Sequence, residues 1–352
     1  MRKYYIDNIR NLCILLLFPY HTAMIFNNYG DSWYVHSRGT EAAGLFLISL
    51  YPWWMAILFA LAGMSTVYAL NKRTAKEFLV ERVHKLLIPC ISGIILLVPV
   101  QTYIARRSFY GYGGTYLEHL RVFFQMTDLR GYDGHFTPGH LWFIMDLFVF
   151  SSVFLFPMVW YRNKEKKLKG EKFTLIPLIS MFILIVVATP ILNIGNKSLG
   201  EYASYFLLGY FILSMEEVQE RLKRHRAILA VHWGALIVWR CVMYKMGLSN
   251  SLLWNVEQRI LAWVGILAVL GLGRKYLEFH NKFTAYFTPA AFPLYIFHQS
   301  IIVMIGYFTI RHVKAAIIQY MIICLASFGL TLLVYELFKR IRIARFLFGI
   351  KK

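Results

Sequence analysis

The chain has 352 residues, of which 58% are hydrophobic and 17% aromatic, and its formal net charge is +20. A soluble domain could not bury so much apolar surface, so the composition predicts a multi-pass membrane protein and excludes a soluble globular enzyme. Such a charge would favour a nucleic-acid partner in a soluble protein. In a membrane protein it is explained by cytoplasmic loops rich in Lys and Arg, and we expect no nucleic-acid partner.

Ten apolar segments are long enough to cross a bilayer, and each is interpreted as a transmembrane helix. In chain order they are Ile9–Phe26, Gly44–Leu70, Leu86–Ile104, Leu141–Tyr161, Thr174–Ile194, Tyr202–Val218, Ala227–Tyr244, Ile260–Leu272, Tyr286–Thr309 and Ala315–Phe338. The eighth is short unless it starts near Gln258. The sequence therefore predicts an all-α polytopic bundle of about ten transmembrane helices, with residues 1–352 as a single integral membrane domain.

The distribution of positive charge indicates how these helices are oriented. With a cytoplasmic N-terminus, the connections on the inner side hold most of the 38 Lys and Arg residues. The positive-inside rule then predicts that both termini face the cytoplasm, in the cytoplasmic membrane. The longest connection, Ala105–Gly139, would be extracytoplasmic, where its tyrosines could stack on sugar rings or form an interfacial aromatic belt.

The cysteines and the first apolar segment are interpreted as ordinary membrane structure. The four cysteines lie far apart in apolar stretches without a Cys-x-x-Cys pair (Cys13, Cys90, Cys241 and Cys324). They are expected to be small core residues, and we expect neither a disulfide framework nor a metal. The first segment is interrupted by Arg10 and Pro19 and has no small-x-small cleavage signature, so we interpret it as a retained helix.

Arg10 and His21 are the most informative pair in the first segment. Eleven steps along a straight α-helix make about three turns, so both side chains fall on nearly the same face, about 16 Å apart. An arginine inside a membrane helix is costly and usually marks a pathway or a site. A histidine on the same stripe adds a base that titrates near neutral pH. The spacing predicts an anion clamp at one depth and a proton acceptor at another.

Two further histidines are expected at the depth of His21. His140 begins the fourth segment near its outer boundary, and His298 lies in the ninth segment, in the outer half of the bilayer. A single buried histidine is more often a satisfied core residue, but a shared depth on three helices favours a site. Pro19 and Pro293, each just before one of these histidines, predict bends in the two helices.

Basic residues near the cytoplasmic ends could form a binding mouth for an anion. Arg82 and Lys85 precede the third segment, and together with Arg10 they could face the cytosol. Guanidinium groups bind phosphates bidentately, which suits a polyphosphate ligand. The alternative for Arg82 and Lys85 is an ordinary collar of basic side chains that snorkel to the interface.

These motifs resemble those of a known family. The Arg10-x10-His21 spacing resembles the signature of the bacterial membrane acyltransferase type 3 family, and the resemblance covers nearly the whole chain. Phe59–Gly63 is similar to that family's Phe-rich run ending in Ser-Gly, with Ala62 in place of Ser. Arg82–Pro89 is similar to its Arg-x-x-Arg motif before a proline, with Lys85 keeping the charge but not the guanidinium fork.

Two other stretches also match patterns of this family. They are His140–Ile144 and Tyr295–Gln299, and the second is similar to the glucan-succinyltransferase branch. The resemblance implies transfer of an acyl group from cytosolic acyl-coenzyme A to extracytoplasmic glycans. The acyl group remains open between acetyl and succinyl. Ten helices with both termini inside also agree with this family.

The resemblance also implies roles for individual residues. Arg10, Arg82 and Lys85 would hold the nucleotide phosphates of the donor. His21 would act as general base on an acceptor hydroxyl or carry the acyl group itself, by a ternary-complex or a ping-pong route. Side chains near the thioester would orient it or stabilise the oxyanion; they are His140, Trp142, Tyr295 and His298. Asp133 and Glu41 could bind sugar hydroxyls, although solvated loop carboxylates are the commoner case.

Two other classes of function are compatible with a ten-helix membrane protein. A transporter or glycolipid flippase would also use kinked helices and a deep arginine. No inverted repeat is visible, however, and the ionisable residues are not arranged as a proton relay. A sensory or scaffold protein would leave Arg10 and His21 unexplained. The sequence therefore favours a membrane acyltransferase.

Overall fold

The computed structural model describes residues 2–29, 33–127, 129–195, 197–249 and 251–351. Within these ranges the only strands are β1 (Asn193–Ile194) and β2 (Lys197–Ser198), which pair antiparallel. The α-helices are α1 (Tyr4–Leu15), α2 (Leu17–Met24), α3 (Glu41–Leu70), α4 (Ala75–Arg82), α5 (Ile88–Leu96), α6 (Val98–Phe109), α7 (Tyr116–Phe123), α8 (Trp142–Val153), α9 (Leu155–Asn163), α10 (Leu175–Ser180), α11 (Phe182–Ala188), α12 (Leu199–Leu208), α13 (Glu216–Arg224), α14 (Arg226–Lys245), α15 (Leu252–Tyr276), α16 (Lys282–His312), α17 (Ala316–Phe338) and α18 (Arg342–Leu347). The prediction of an all-α membrane protein is confirmed.

Several of these helices are long and apolar enough to cross a membrane. In the described part of the chain six qualify by length and composition: Glu41–Leu70, Ala75–Phe109, Arg226–Lys245, Leu252–Tyr276, Lys282–His312 and Ala316–Phe338. A seventh span would be formed by Gly139–Val153 and Leu155–Asn163, which are bent by 49°. The eighth apolar segment is not short, because its helix already begins at Leu252 rather than near Gln258.

The chain divides into two compact units. The first contains Met1–Cys13, Ile48–Glu81 and Val149–Ala285. Within it, α3 packs closely on the end of α12 and on the residue that follows it. A Cβ atom at Gly63 would lie 2.0 Å from the carbonyl oxygen of Phe206, and one at Gly209 would lie 2.2 Å from that of Ala60. Only glycine permits such an approach, so Gly63 in the Phe59–Gly63 motif has a packing role.

Buried charges in the first unit are matched by carboxylates. The Arg240 Nη1 atom lies 2.6 Å from Oε2 of Glu257, and both side chains are almost fully buried. The Arg240 guanidinium also stacks on Trp254, 3.7 Å from the ring centroid. Arg259 and Glu201 form a second pair at 2.8 Å. These pairs link α14 to α15 and α15 to α12.

The second unit contains Ile14–Leu47, Arg82–Phe148 and Tyr286–Lys352. The first apolar segment is broken at Leu16, between α1 and α2. Pro19 has no N–H with which to bond the Leu15 carbonyl, which accounts for the break. The interruption agrees with the bend that Pro19 predicts in this segment. The separation of about 16 Å between Arg10 and His21 assumes a straight helix and stays a prediction. By contrast, α16 continues as one helix through Pro293.

A widened turn joins α4 to α5. Residues Val83–Leu87 form a π-helix, in which the Ile88 N–H bonds the carbonyl of Val83. Pro89 follows immediately and lacks the N–H that a regular α-helix would require there. Turns of this kind are frequent at functional sites. The turn contains Lys85, one of the residues expected to bind the donor.

Candidate active site

The three histidines expected to share a site lie together in the second unit. The ring centroids of His21 and His298 are 5.1 Å apart, and those of His140 and His298 are 5.0 Å apart. They come from α2, from a short 3-10 turn (Gly139–Leu141) and from α16. His140 is almost fully buried and His298 is completely buried. We call these three side chains the histidine cluster.

The protonation of His298 follows from its hydrogen bond. Its Nδ1 atom lies 2.6 Å from the carbonyl oxygen of Tyr295. A carbonyl can only accept a hydrogen bond, so Nδ1 carries the proton. In the neutral ring the Nε2 atom then carries a lone pair. This atom is buried without a hydrogen-bond partner among the residues that the structure describes. His298 therefore offers an unused acceptor inside the cluster.

Both ring nitrogens of His140 are already engaged. Its Nε2 atom donates to the carbonyl oxygen of Ile296 at 2.7 Å, and its Nδ1 atom accepts from the Gln101 amide at 3.3 Å. The Tyr295 hydroxyl donates to the main-chain carbonyl of His140. His140 is thus held as a neutral imidazole with a fixed tautomer, and it has no lone pair left for a substrate.

An aromatic ring covers His21. The indole of Trp33 stacks nearly parallel to the imidazole, with the centroids 5.7 Å apart and 12° between the planes. Trp33 is 3% exposed and lies in the loop between α2 and α3. The sequence did not point to Trp33 or Gln101. A useful signal would have been the polar pair Gln299 and Ser300, which follows His298 directly in an apolar helix.

The residues expected to bind the donor belong to different units. In the first unit, the Arg10 Nη1 atom pairs with Asp7 at 2.9 Å and its Nη2 atom donates to Ser65 Oγ at 3.1 Å. The Arg10 side chain is 34% exposed, so part of its guanidinium is still accessible. Arg82 and Lys85 belong to the second unit and are half-buried. A joint phosphate site remains a prediction.

The remaining expected site residues lie near the ends of helices or in loops. Trp142 is half-buried at the start of α8, two residues after His140. Glu41 is the exposed first residue of α3. An Asp133 carboxylate oxygen lies 2.7 Å from Nδ1 of the His135 ring. Burial favours the neutral carboxyl of Asp133, but hydrogen bonds from His135 outweigh it and lower the pKa. Their contacts with a sugar or a thioester remain predictions.

The connection from Ala105 to Gly139 carries a short, well-capped helix. Thr115 and Glu118 form a reciprocal capping box at the start of α7. His119 in α7 is fully buried, and its Nε2 atom lies 2.9 Å from Thr102 Oγ1 of α6. Burial, together with the positive charge of Arg106, lowers the pKa of His119 to about 4. The helix is therefore docked through a neutral histidine.

No group of three or more His, Cys, Asp or Glu side chains suited to a metal ion is found in the described ranges. Two members of the histidine cluster, His140 and His298, have their tautomers fixed by carbonyl and amide partners. Together with the helices, this cluster defines a class of integral membrane protein with buried histidines inside a helical unit.

The family follows from comparison with known proteins. A family model described as an acyltransferase domain matches residues 3–336, and the chain belongs to this acyltransferase type 3 family. The chain is also 22% identical to the glucans biosynthesis protein C of Salmonella paratyphi B and of Salmonella dublin, with 99% of this chain and 94% of each relative aligned. The protein from Salmonella typhi is 22% identical with the same coverage. No solved structure matches the chain significantly.

Proposed function

We propose that the protein is an O-acyltransferase of the cytoplasmic membrane. It moves an acetyl or succinyl group from cytosolic acyl-coenzyme A to a hydroxyl of an extracytoplasmic glycan. Membership of the acyltransferase family supports the reaction class, and the name of the Salmonella relatives supports a glucan as acceptor. The observation that carries the proposal is the histidine cluster, in which His21 lies within contact distance of the neutral His298.

In the proposed reaction His21 is the general base. It takes the proton of the acceptor hydroxyl while the hydroxyl oxygen attacks the thioester carbonyl, so the O–H electron pair becomes the new C–O bond. The C–S bond then breaks, and the departing thiolate receives the proton from His21. In the alternative route His21 first carries the acyl group itself. Trp142 and Tyr295 orient the thioester in either route. The ring N–H groups of His140 and His298 already donate to main-chain carbonyls, so these two histidines support His21 rather than the oxyanion.

The donor and the acceptor approach from opposite sides of the membrane. Arg10, Arg82 and Lys85 bind the phosphates of acyl-coenzyme A on the cytoplasmic side. On the outer side, Glu41 and Asp133 bind sugar hydroxyls. The bundle has ten transmembrane helices with both termini inside and acts as one domain. In this proposal the first apolar segment also crosses the membrane, and so do the shorter apolar helices Leu175–Ala188 and Leu199–Leu213.

The orientation can be tested with single cysteines. The two positions are Leu117, which is 75% exposed on α7, and Lys167, which is exposed after α9. Intact cells are treated with an impermeant thiol reagent, and the wild-type protein with its four natural cysteines is the control. We expect labelling of Leu117→Cys alone. Labelling of Lys167→Cys alone would reverse the orientation and with it the direction of transfer.

The reaction itself is tested with purified protein and labelled acyl-coenzyme A. Acetyl- and succinyl-coenzyme A are supplied in parallel, with and without a soluble glucan, and label is followed into the glucan and into free acid. We expect transfer or slow hydrolysis of one donor. A transporter or flippase would do neither, so its signature would be movement of a glycolipid in vesicles without any acyl transfer.

A further inference from the structure

We propose that Gln101 is a positioning residue of the histidine cluster. It holds His140 as the neutral tautomer protonated on Nε2, so that His298 Nε2 stays free to accept the N–H of His21 when His21 takes a proton. The proposal rests on the proposed function and assigns the three histidines different tasks. His21 takes up the proton of the substrate. His298 accepts a hydrogen bond from protonated His21, and His140 stays neutral so that it adds no positive charge beside them.

The orientation of the Gln101 amide follows from Ser300. The Ser300 hydroxyl donates its single proton to the carbonyl of Leu97 at 3.0 Å, so it must accept from Gln101 Nε2, which lies 2.7 Å away. The Gln101 Oε1 atom accepts from Gln299 at 2.9 Å, which agrees with this orientation. Gln101 is completely buried, so these partners alone decide which end of the amide faces His140.

The tautomer of His140 is then determined from both sides. Gln101 presents a donor to Nδ1, and the carbonyl of Ile296 presents an acceptor to Nε2. Only the neutral imidazole with its proton on Nε2 satisfies both partners. Each partner is buried, and leaving one of them unpaired would cost about 1–3 kcal/mol. The tautomer is therefore built into the packing of α6 against α16.

His298 is positioned to accept a hydrogen bond from His21. Its own proton is on Nδ1, bonded to Tyr295, which leaves Nε2 as a buried lone pair. The His21 and His298 ring centroids are 5.1 Å apart, close to the about 5 Å that separates two imidazoles joined by an N–H to N bond of about 2.9 Å. The bond to His298 Nε2 is not formed in the structure, so it requires a reorientation of the rings when His21 is protonated. A proton on His21 would therefore have an acceptor ready, as the orienting partner of a catalytic base requires.

A neutral His140 is necessary for this arrangement. Its ring meets the His298 ring edge-on at 5.0 Å, and the Tyr295 ring packs beside both. A positive charge on His140 would repel the charge that His21 and His298 share during transfer. Glutamate at position 101 would have no N–H for Nδ1, so His140 would become an imidazolium that donates through both nitrogens.

The test compares Gln101→Glu, Gln101→Met and the matched control Gln319→Glu. Gln319 is also a buried glutamine of the second unit, hydrogen-bonded to Ser37 rather than to a histidine. Transfer by purified protein is measured together with the nitrogen NMR spectrum of histidine-labelled protein, in which His140→Gln identifies the His140 signals. For wild type we expect one unprotonated nitrogen on His140.

For Gln101→Glu we expect that this unprotonated signal disappears and that kcat falls at least tenfold, while KM for the donor changes less than about twofold. Gln101→Met loses the same hydrogen bonds without gaining a charge, so its kcat should fall less. Gln319→Glu should keep the wild-type spectrum of His140. An unchanged His140 spectrum in Gln101→Glu, with or without loss of activity, would overturn the proposal.

Two further outcomes are also decisive. If Gln101→Glu does not fold, the His140 nitrogen signal of Gln101→Met must shift, because Nδ1 has lost its donor; an unshifted signal contradicts the proposal. If wild type transfers no acyl group, the proposed function fails. The spectrum still decides the tautomer, because a wild-type His140 protonated on Nδ1 would reject the role of Gln101 independently.

Discussion

The two units solve the problem of buried polar groups in different ways. In the first unit two buried carboxylates are paired with arginines, Glu257 with Arg240 and Glu201 with Arg259. In the second unit the buried rings of His140 and His298 are held by carbonyls and by the Gln101 amide. In the first arrangement each of these arginines has a fixed carboxylate partner. The second leaves His298 Nε2 unpaired in the described part of the chain.

This difference indicates where chemistry can occur. An ion pair buried away from water cannot give up a proton without leaving its partner as an uncompensated charge. A neutral imidazole can take up a proton through its free nitrogen, and a second imidazole beside it can accept a hydrogen bond from the protonated ring. We therefore expect changes in the first unit to act on stability and changes in the histidine cluster to act on turnover.

The largest effect is expected from Arg240→Ala. The change leaves Glu257 buried without its partner, which should lower the free energy of unfolding by about 3–5 kcal/mol. Thermal unfolding of the detergent-purified protein measures the loss. Lys223→Ala is the control, because Lys223 pairs with Glu220 at the surface of the same unit and should change stability by less than about 1 kcal/mol.

The double variant Arg240→Met with Glu257→Leu removes both charges and should recover most of the lost stability. Acyl transfer per folded molecule should be unchanged in all of these variants. A specific loss of turnover in folded Arg240→Ala would contradict the expectation that changes in the first unit act on stability and not on turnover.

A smaller effect is expected from Arg10, the charged residue of the first unit that is assigned to the donor. Arg10→Lys keeps the charge but loses the guanidinium fork, so the affinity for acyl-coenzyme A should fall about tenfold, with activity returning at high donor concentration. Arg10→Ala should bind more weakly still. Binding of labelled donor to monodisperse protein gives the dissociation constants.

Asp7→Asn is the matched control for Arg10, because it removes the ion pair but leaves the guanidinium in place. If Arg10 serves the donor, Asp7→Asn should bind acyl-coenzyme A about as well as wild type. Wild-type binding by Arg10→Ala, combined with reduced stability of Asp7→Asn, would mean that Arg10 only braces the helices.

The smallest effect is expected from the pH dependence of α7. Burial lowers the pKa of His119 from 6.5 to about 4, so the folded helix favours the neutral ring. This contribution to stability is complete above about pH 6.5 and is lost as the pH falls towards about 4, because only the released helix then binds a proton. A nitroxide at the exposed position 117 should become more mobile over this interval. With His119→Gln the mobility should not depend on pH, and a wild-type profile in that variant would exclude His119 as the cause.

Apolar segments and prolines could be predicted because their effects are local. The break at Leu16 follows from Pro19 alone, and the long helices follow from runs of hydrophobic residues. The ion pair of Arg10 with Asp7 was also foreseeable, since residues three apart on a helix are neighbours. The start of α15 was placed too late because polar residues at its N-terminal end obscure the apolar pattern.

The hydrogen-bond network around His140 could not be predicted. Gln101, His140 and Ser300 are far apart in the chain, and no spacing rule relates a glutamine in one helix to a histidine in another. Trp33 was missed for a similar reason, because an aromatic residue in a loop gives no sign that it will stack on His21. The shared depth of the three histidines in the membrane could be predicted from the sequence. The tautomers of His140 and His298 could not, because they depend on the packing of distant residues.

The most direct test of the central claim is His21→Ala, measured beside Arg240→Ala for both acyl transfer and thermal unfolding. If the histidine cluster carries out the chemistry, His21→Ala should lower transfer about 10²-fold or more while donor binding and unfolding temperature stay near wild type. Arg240→Ala should show the reverse pattern. Retention of more than a tenth of wild-type transfer by His21→Ala would contradict the assignment of His21 as the base.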